Sequence, residues 1–339
     1  MKKAVIYGCG NVGKLAYEYL KNRYDIMFFV DKNKCGEVWK GIKVYEPKEL
    51  VKYCEIKIII ACMEHYRYEI LDDIRKLGIP DSDIELFSIG SESVVPVKME
   101  KELDKRTIDL GDFLQRHNTQ IVCKELTFIG GGSGVLDYAF LQTIAKVFKV
   151  KEYLEVGTYI GESINILTET CEKLYSVTAA TGTAISGHEW FKQHKIPDYT
   201  ERLTYNKKIT HYFCDSKLFD FSKHADTVDL YFIDGDHSYN GVYCDTKNIF
   251  NNKREDAIVV WHDFKKAGNE YKAEVVKAVA DVLNDEFENV YVTNNNACGI
   301  YIPKSRKNEF DFVIRERKYE ENASLYTYDV VLRNIHIVE

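Results

Sequence analysis

The sequence predicts an α/β protein made of two doubly wound domains, and three observations support this class. Short apolar runs alternate with amphipathic stretches through residues 1–90, and the same alternation restarts near residue 136 and continues to about residue 305. Strands that are separated by helices pair in parallel, so each half predicts an open sheet with helices on both faces. A chain of 339 residues is also long for a single hydrophobic core.

The domain boundaries follow from where this rhythm stops and restarts. We assign residues 1–90 to the N-terminal domain and residues 136–305 to the second domain. Between them, residues 91–135 contain a charged helical stretch and the segment FIGGGSG, whose glycines are typical of a hinge or tight loop. We interpret this stretch as a helical and glycine-rich linker. Residues 306–339 form a C-terminal extension, in which the last thirty residues suggest two strands around a polar turn that could pair into a β-hairpin.

Composition narrows the classes of partner and compartment. The net charge is −7 and no block of basic residues occurs, which argues against nucleic acids and anionic membranes because phosphate binding depends on Lys and Arg. No apolar run is long enough for a signal peptide or a membrane span. The nine cysteines are scattered without a C-x-x-C pair, so we expect reduced thiols in a cytoplasmic protein rather than a structural zinc site. A homo-oligomer stays open.

The first glycine motif, YGCGNVGK, follows a predicted strand and opens a predicted helix. In this setting Gly8, Gly10 and Gly13 allow a sharp turn and let a phosphate approach backbone N–H groups at the helix N-terminus. Asp31 ends the next strand, where a carboxylate can accept hydrogen bonds from a ribose. These four residues form a candidate nucleotide site. In the alternative, the glycines only permit tight packing of the strand against the helix.

The N-terminal domain also resembles a known kind of domain. The run from GCGNVGK through FFVDKNKCGEVWKGIKVYEPKEL to IIIAC is similar to the small Rossmann-like domain of sugar-modifying enzymes, including the nucleotide-sugar-binding part of sialic-acid-type acyltransferases. That resemblance implies a nucleotide or nucleotide-sugar ligand rather than a redox NAD. No Tyr-x-x-x-Lys pair follows the motif within residues 14–90, which also argues against hydride transfer.

The second glycine motif, YLEVGTYIGES, lies at the end of a predicted strand and the start of a helix. It contains Glu155, Gly157 and Gly161 with E-x-G-x-x-x-G spacing, which differs from the dinucleotide motif. Together with FIDGDHSY and VVWHDF in the same order, it makes residues 135–303 resemble class I S-adenosylmethionine (SAM)-dependent methyltransferases. The resemblance implies that these three residues line the methionine side of SAM.

The same resemblance implies further cofactor residues. Asp215 and Ser216 of FCDS would lie by the adenine, and Asp234 would reach the junction of cofactor and acceptor. One position departs from the pattern, because the second strand ends in Thr178 where such domains usually carry an acid on the ribose hydroxyls. A threonine bonds a ribose more weakly than a carboxylate does, which implies weaker SAM binding or another nucleotide-like ligand. We also expect a bulky residue at Gly157 to abolish SAM binding with the fold largely intact.

Acids and imidazoles crowd the ends of two neighbouring predicted strands, in the sequences YFIDGDH and VVWHD. In a parallel sheet, ligands gather outside the carboxyl ends of the strands. We therefore expect a shared rim that contains Asp234, Asp236, His237, His262 and Asp263. Strand alternation sends side chains to both faces, so not all five can converge.

These residues suggest two kinds of chemistry. Metal-dependent methyltransferases hold a divalent ion at the two strand ends, and this resemblance implies Asp234, His262 and Asp263 as ligands of Mg²⁺ or Mn²⁺, although Mg²⁺ prefers all-oxygen shells. His237 is the candidate general base, because an imidazole titrates near neutrality and can take the proton of an acceptor hydroxyl. In the alternative, both histidines only cap strand ends or bond to loops, and Asp236 is a solvated turn acid.

The leading interpretation is a SAM-dependent O-methyltransferase that acts on a hydroxyl of a sugar, nucleotide-sugar or similar small metabolite in carbohydrate biosynthesis. The N-terminal domain would hold that substrate or its nucleotide handle. Two alternatives remain open. In one, Thr178 marks a degenerate SAM pocket, and the protein is a non-catalytic nucleotide or nucleotide-sugar binding or scaffold protein. In the other, the first glycine motif serves an NAD-dependent oxidoreductase.

Overall fold

The computed structural model divides into two compact units, Met1–Glu102 and Leu103–Glu339, each with its own sheet. Interleaved helices and mainly parallel strands in both units confirm the predicted α/β class of two Rossmann-like domains. In the part of the chain that the structure describes, no helix is long and apolar enough to span a membrane. The described residues are 1–88, 93–117, 121–123, 126, 133–179, 206–265, 271–310, 312 and 314.

The first unit is built on a seven-stranded sheet in the order β3-β4-β2-β1-β5-β6-β7. Pairing is parallel from β4 to β6 and antiparallel at both edges. Ala4 and Ile6 of β1 pack with Ala16 and Leu20 of α1, so alternate apolar residues of the strand meet the apolar face of the helix. The elements are β1 (Lys2–Tyr7), α1 (Asn11–Leu20), β2 (Tyr24–Val30), β3 (Val38–Trp39), β4 (Ile42–Tyr45), β5 (Lys57–Ile60), α2 (Arg67–Lys76), β6 (Ile84–Ser88) and β7 (Ser93–Pro96), followed by α3 (Val97–Asp104).

The second unit is built on an eight-stranded sheet in the order β11-β10-β9-β12-β13-β15-β14-β8. Only β15 is antiparallel to its neighbours. Every residue of β9, β12 and β13 is buried, as expected for central strands with helices on both faces. The elements are β8 (Thr107–Ile108), α4 (Leu110–Arg116), α5 (Val135–Val147), β9 (Glu152–Val156), α6 (Glu162–Asn165), β10 (Lys173–Thr178), β11 (Ile209–Phe213), β12 (Leu230–Ile233), α7 (Tyr239–Asn252), β13 (Ile258–Trp261), α8 (Ala273–Leu283), β14 (Val290–Thr293) and β15 (Gly299–Tyr301).

The segment interpreted as a linker contributes a strand to each sheet. β7 pairs with β6, and β8 pairs with β14. Strands this short carry no visible alternation, so the sequence pattern could not reveal them. Most of FIGGGSG and most of the predicted C-terminal hairpin lie outside the described residues. Of the latter, Ile314 forms an isolated antiparallel bridge with Ile108.

The helix predicted to start at Glu162 ends after one turn as α6. The Gln142 side-chain amide donates to the Ile166 carbonyl at 3.0 Å, and the Thr168 hydroxyl donates to the Asn165 carbonyl at 2.8 Å. Side-chain donors of this kind compete with the backbone for carbonyls and so shorten the helix.

Candidate functional site

The turn after β9 lies in close contact with the end of β12. Gly157 has φ of +89°, and a Cβ at this position would lie 2.2 Å from the carbonyl oxygen of Asp234 and 2.5 Å from Cα of Gly235. Only glycine tolerates both the left-handed backbone and this approach. The expectation that a bulky residue here leaves the fold intact is therefore wrong, because the substituted side chain would overlap the backbone of a neighbouring strand end.

Glu155 and Gly161 flank the same turn. Glu155 is completely buried, and burial raises the pKa of its carboxyl to about 7, although the hydroxyls of Ser163, Tyr153 and Thr158 act in the opposite direction. Gly161 precedes α6 with φ of +85°. The structure thus brings the residues predicted for the methionine side of SAM to one place at the carboxyl end of β9.

The residues predicted for the ribose and adenine lie at the ends of the next two strands of the sheet. Thr178 ends β10 and is half-buried, while Asp215 and Ser216 follow β11. The amide of Cys214 donates to the Thr178 carbonyl at 2.9 Å, which joins the two strand ends. Asp215 caps the 3₁₀ turn at Ser216–Leu218 by accepting from the amide of Lys217 at 2.9 Å. Its carboxylate is therefore already engaged in local structure.

Asp234 is held from two sides at the end of β12. Its Oδ1 lies 3.1 Å from Nδ1 of His262, and its Oδ2 accepts a hydrogen bond from the Ser133 hydroxyl at 3.0 Å. Ser133 belongs to FIGGGSG, the segment predicted to form a hinge or tight loop. The serine of that segment thus contacts the candidate site.

His262 lies between three carboxylates. Its Nε2 is 3.4 Å from Oδ2 of Asp137, and its Nδ1 is 3.1 Å from Oδ1 of Asp234 and 3.6 Å from Oδ2 of Asp263. Burial opposes a charge on the ring, but the three carboxylates outweigh it and raise the pKa of His262 to about 12. The ring is therefore a cation at neutral pH. In this arrangement His262, which the sequence predicts as a metal ligand, forms ion pairs with three acids instead.

His237 and Lys272 share the carboxylate of Asp263. Nδ1 of His237 is 2.8 Å from Oδ2, and Nζ of Lys272 contacts Oδ1. Burial opposes ionisation of Asp263, but His237, His262 and Lys272 hold the pKa of its carboxyl well below the usual range. The His237 side chain is 47% exposed. With Nδ1 oriented by a carboxylate, Nε2 is the nitrogen available for proton transfer.

Asp137 of α5 completes the cluster and was missed by the sequence analysis. It accepts from the amides of Gly134 at 2.8 Å and Ala297 at 2.9 Å. Burial opposes its charge, yet His262 and these amides keep the pKa of the carboxyl low. The residue precedes β9, the first strand that the sequence predicts for the second domain, so reasoning from strand ends could not reach it. The available signal was an acid inside the apolar helical run LDYAFLQ.

Asp236 has a capping role. It accepts from the amide of Ser238 at 2.9 Å and from its hydroxyl at 2.8 Å. Ser238 is the N-cap of α7, and its hydroxyl accepts from the amide of Gly241 at 3.2 Å. These bonds favour the interpretation that part of DGDHSYNG starts a helix.

A group of potential metal ligands exists among the described residues, with His237 in place of His262. One ligand atom each from Asp234, His237 and Asp263 lies within 4.8 Å of the others. Two carboxylates and an imidazole suit Mn²⁺ better than Mg²⁺. All four carboxylate oxygens already face a side-chain donor: His262 Nδ1, Ser133 Oγ, His237 Nδ1 and Lys272 Nζ. Two carboxylates and an imidazole are suitable ligands for a divalent cation. The four donors that now face the carboxylate oxygens, however, occupy the positions that such a cation would need.

In the first unit, the three motif glycines differ in what surrounds them. A Cβ at Gly8 would lie 2.3 Å from the Ala61 carbonyl oxygen, and one at Gly13 would lie 1.8 Å from the Gly8 carbonyl oxygen. Among the described residues, no atom lies within 4 Å of a Cβ at Gly10. Tight packing therefore accounts for Gly8 and Gly13, and Gly10 alone faces open space at the start of α1.

Asp31 holds the glycine loop to the segment that follows β2. Its Oδ2 accepts from the amide of Cys9 at 2.8 Å, and its Oδ1 accepts from the amides of Asn33 at 2.9 Å and Lys34 at 3.2 Å. Nζ of Lys34 also donates to the Cys9 carbonyl at 3.1 Å. Three backbone donors thus engage the carboxylate that was predicted to bind a ribose.

Comparison with known families identifies the second unit. Residues 154–264 match the model of a family described as a methyltransferase domain, and residues 1–85 match a C2185-like N-terminal domain. The first match runs from β9 to the end of β13 and includes the turn at Gly157 and both acidic strand ends. The second unit is therefore a class I SAM-dependent methyltransferase domain. The protein is a SAM-dependent methyltransferase.

Individual relatives are distant. Uncharacterized protein R132 of Acanthamoeba polyphaga mimivirus is 23% identical over 156 residues, which cover 44% of this chain and 68% of that protein. Among solved structures, TomG, an O-methyltransferase from Streptomyces achromogenes involved in tomaymycin synthesis, has 12% identity and a TM-score of 0.36 and covers 51% of this chain and 82% of that chain. The N-methyltransferase NodS from Bradyrhizobium japonicum WM9 has 14% identity, a TM-score of 0.33 and coverage of 50% and 95%. CalS11, a TDP-rhamnose 3′-O-methyltransferase of calicheamicin biosynthesis, has 13% identity, a TM-score of 0.35 and coverage of 57% and 93%.

Proposed function

We propose that this protein transfers the methyl group of SAM to a hydroxyl of a sugar, a nucleotide-sugar or a similar small metabolite. The observation that carries this proposal is the pair formed by His237 and Asp263, an exposed imidazole oriented by a largely buried carboxylate. A hydroxyl is a weak nucleophile at neutral pH, so its transfer step gains from a base that removes the proton as the methyl moves. A neutral amine has a free lone pair and does not need such a base.

The cofactor residues follow the order of the strands. SAM would lie across the carboxyl ends of β12, β9, β10 and β11, the edge where parallel sheets bind ligands. Asp234 would lie at the junction with the acceptor. The other proposed contacts are Glu155, Gly157 and Gly161 for the methionine part, Thr178 for the ribose, and Asp215 and Ser216 for the adenine.

Binding and turnover of the full-length chain test the proposal. Calorimetric titration with S-adenosylhomocysteine (SAH) should give one site, and methyl-labelled SAM should transfer label to members of a panel of sugars and nucleotide-sugars. Transfer confined to amine acceptors would contradict the choice of a hydroxyl. No heat of binding at millimolar SAM or SAH would favour the degenerate pocket of a non-catalytic binding or scaffold protein.

A divalent cation is a second possible use of the same residues. Mg²⁺ or Mn²⁺ held by Asp234 and Asp263 with His237 or His262 would acidify the acceptor hydroxyl. Because the four carboxylate oxygens already face resident donors, we propose that the protein works without such an ion.

Exhaustive treatment with EDTA separates the two schemes. We expect methyl transfer to persist after chelation, because His237 and Asp263 need no metal to form their pair. Activity that is lost on chelation and restored by Mn²⁺, but not by Ca²⁺, would show instead that these carboxylates hold a metal ion.

Thr178→Asp is expected to tighten SAH binding by about 1 kcal/mol or more, because a carboxylate bonds ribose hydroxyls more strongly than a neutral hydroxyl does. Calorimetry measures the change. Thr210→Asp adds the same charge at an exposed position of β11 and should leave affinity unchanged. Unchanged or weaker affinity in Thr178→Asp would mean that another group holds the ribose.

For the first unit we propose a nucleotide or nucleotide-sugar ligand at Gly10 and the start of α1. The open space around a Cβ there, within 4 Å of which no atom of the described residues lies, and the N–H groups of the helix start support this placement. Gly10→Val in the full chain should weaken binding of nucleoside diphosphates without affecting SAH. Tight binding of NAD to the wild-type chain would favour the oxidoreductase alternative.

We also propose that the protein works in the cytoplasm, in carbohydrate biosynthesis. All nine cysteines are free thiols in the structure, which fits a reducing compartment.

A further inference from the structure

Asp245 of α7 is a buried carboxyl that the proposed mechanism does not use. Its side chain is 1% exposed, and its Oδ1 has no hydrogen-bond partner among the described residues. Burial raises the pKa of this carboxyl to about 6. The effect of burial is opposed by the Ser216 hydroxyl and Lys217 and reinforced by Asp236 and Asp215. An unpaired buried carboxyl oxygen is costly, so its presence points to a partner that binds there.

Asp245 lies between two loops at the carboxyl edge of the sheet. On one side, its Oδ2 would lie 3.5 Å from a Cβ built on Gly235, which follows β12. On the other side, α7 packs against the 3₁₀ turn at Ser216–Leu218, which follows β11. The ends of β9 and β10 lie between these strands in the sheet. The two loops thus flank the end of the edge that is proposed to hold the adenine.

The acid that follows β11 already uses one of its two carboxylate oxygens in local structure. The Asp215 carboxylate already accepts from the amide of Lys217 at 2.9 Å. The exocyclic amine of adenine needs a hydrogen-bond acceptor that has no other partner. Oδ1 of Asp245 is such an acceptor among the described residues.

We propose that Asp245 reads the adenine of SAM by accepting a hydrogen bond from its exocyclic 6-amino group at Oδ1. This inference rests on the proposed function, since it takes the adenine to lie between Gly235 and the turn at Ser216–Leu218. The same carboxylate would reject a 6-oxo purine, because the oxo oxygen is a second acceptor facing the first. Asp245 therefore determines specificity for adenine over other purines.

Titration calorimetry with two probes tests the assignment: SAH and S-inosyl-L-homocysteine, in which a 6-oxo group replaces the amine. The wild-type chain should bind SAH at least about tenfold more tightly, the scale of one hydrogen bond to a charged group. Asp245→Asn should weaken SAH and abolish this preference, because a carboxamide can donate to the oxo oxygen. Asp226→Asn, the control, removes an exposed carboxylate that precedes β12 at the opposite end of the strand and should keep the preference.

Stability separates recognition from a structural role. A carboxyl whose pKa is raised on folding destabilises the folded state as pH rises from about 4 to 6, and the full cost remains at pH 7.5. Removing that charge in Asp245→Asn should raise the melting temperature of the ligand-free protein at pH 7.5. A lower melting temperature together with an unchanged preference for SAH would overturn the proposal.

A measurement on the wild type covers the case in which Asp245→Asn fails to fold. Between pH 7.5 and 5 the preference for SAH over S-inosyl-L-homocysteine should shrink, because a protonated Asp245 can donate to the oxo oxygen. Glu155 also titrates in this range, but both probes share the methionine part, so their affinity ratio cancels its effect. A constant ratio would contradict the assignment. Absence of SAH binding by the wild type would instead contradict the proposed function.

Discussion

Gly157→Ala is expected to destabilise the second unit by about 4 kcal/mol or more, in the range that only severe steric or backbone defects reach. The left-handed backbone at φ of +89° costs an alanine about 1 kcal/mol. The larger part comes from the Cβ, which would lie 2.2 Å from the Asp234 carbonyl oxygen. The backbone at that position belongs to the end of a buried central strand and cannot move without breaking its pairing. Urea unfolding followed by circular dichroism measures the loss.

Gly235→Ala is the matched control for this prediction. It lies at the same contact, but the nearest described atoms to a Cβ there belong to Val156 and Asp245, at 3.4 Å or more, which is ordinary van der Waals distance. Its unfolding midpoint should therefore shift much less. Equal stability of Gly157→Ala and the wild type would show that β9 and β12 do not approach each other as described.

His237→Ala is expected to slow methyl transfer by about 10²–10⁴-fold, the usual contribution of a positioned general base. SAH affinity should stay the same, because the exposed ring of His237 is proposed to meet the acceptor rather than the cofactor. Asp263→Asn should also be slow, because it removes the charge that orients Nδ1 of His237 and stabilises the protonated ring. Single-turnover rates with labelled SAM measure both losses.

Asp236→Asn is the control for the catalytic pair. Asp236 lies next to His237, but its described contacts only cap the start of α7. Its rate should remain close to that of the wild type, with at most a small loss of stability of about 1 kcal/mol. Full activity in His237→Ala would remove the base and leave the DGDHSYNG stretch as a helix cap.

Strand ends were the most informative part of the sequence. Apolar runs predicted the central strands of both sheets, and the rule that ligands gather at their carboxyl ends predicted a shared rim. In the structure Asp234, His237, His262 and Asp263 do come together there. Asp236 faces the helix start instead, because one turn residue can satisfy the amides of a helix N-terminus.

The remaining residues of the cluster lie in segments where the spacing of apolar residues gives no clear periodicity. Ser133 and Asp137 precede β9, and Lys272 lies just before α8, so no strand-end rule applies to them. The pairing of each cationic side chain with a particular carboxylate depends on distances in the folded structure. These distances cannot be read from a single sequence. The close approach at Gly157 was equally hidden, since it concerns backbone atoms of a strand end 77 residues away.

The contacts of Ser133 and Asp137 bear on which residues must be included when the catalytic domain is transferred to another protein. The family match begins at residue 154, yet two of the three other side chains that contact Asp234 or His262 lie upstream of it. A fragment cut at the family boundary would leave His262 and Asp234 facing each other without the Asp137 carboxylate and the Ser133 hydroxyl. It would also lose β8, which pairs with β14 at the edge of the sheet. Transplanting this methyltransferase into another protein therefore requires the segment from Thr107 onward.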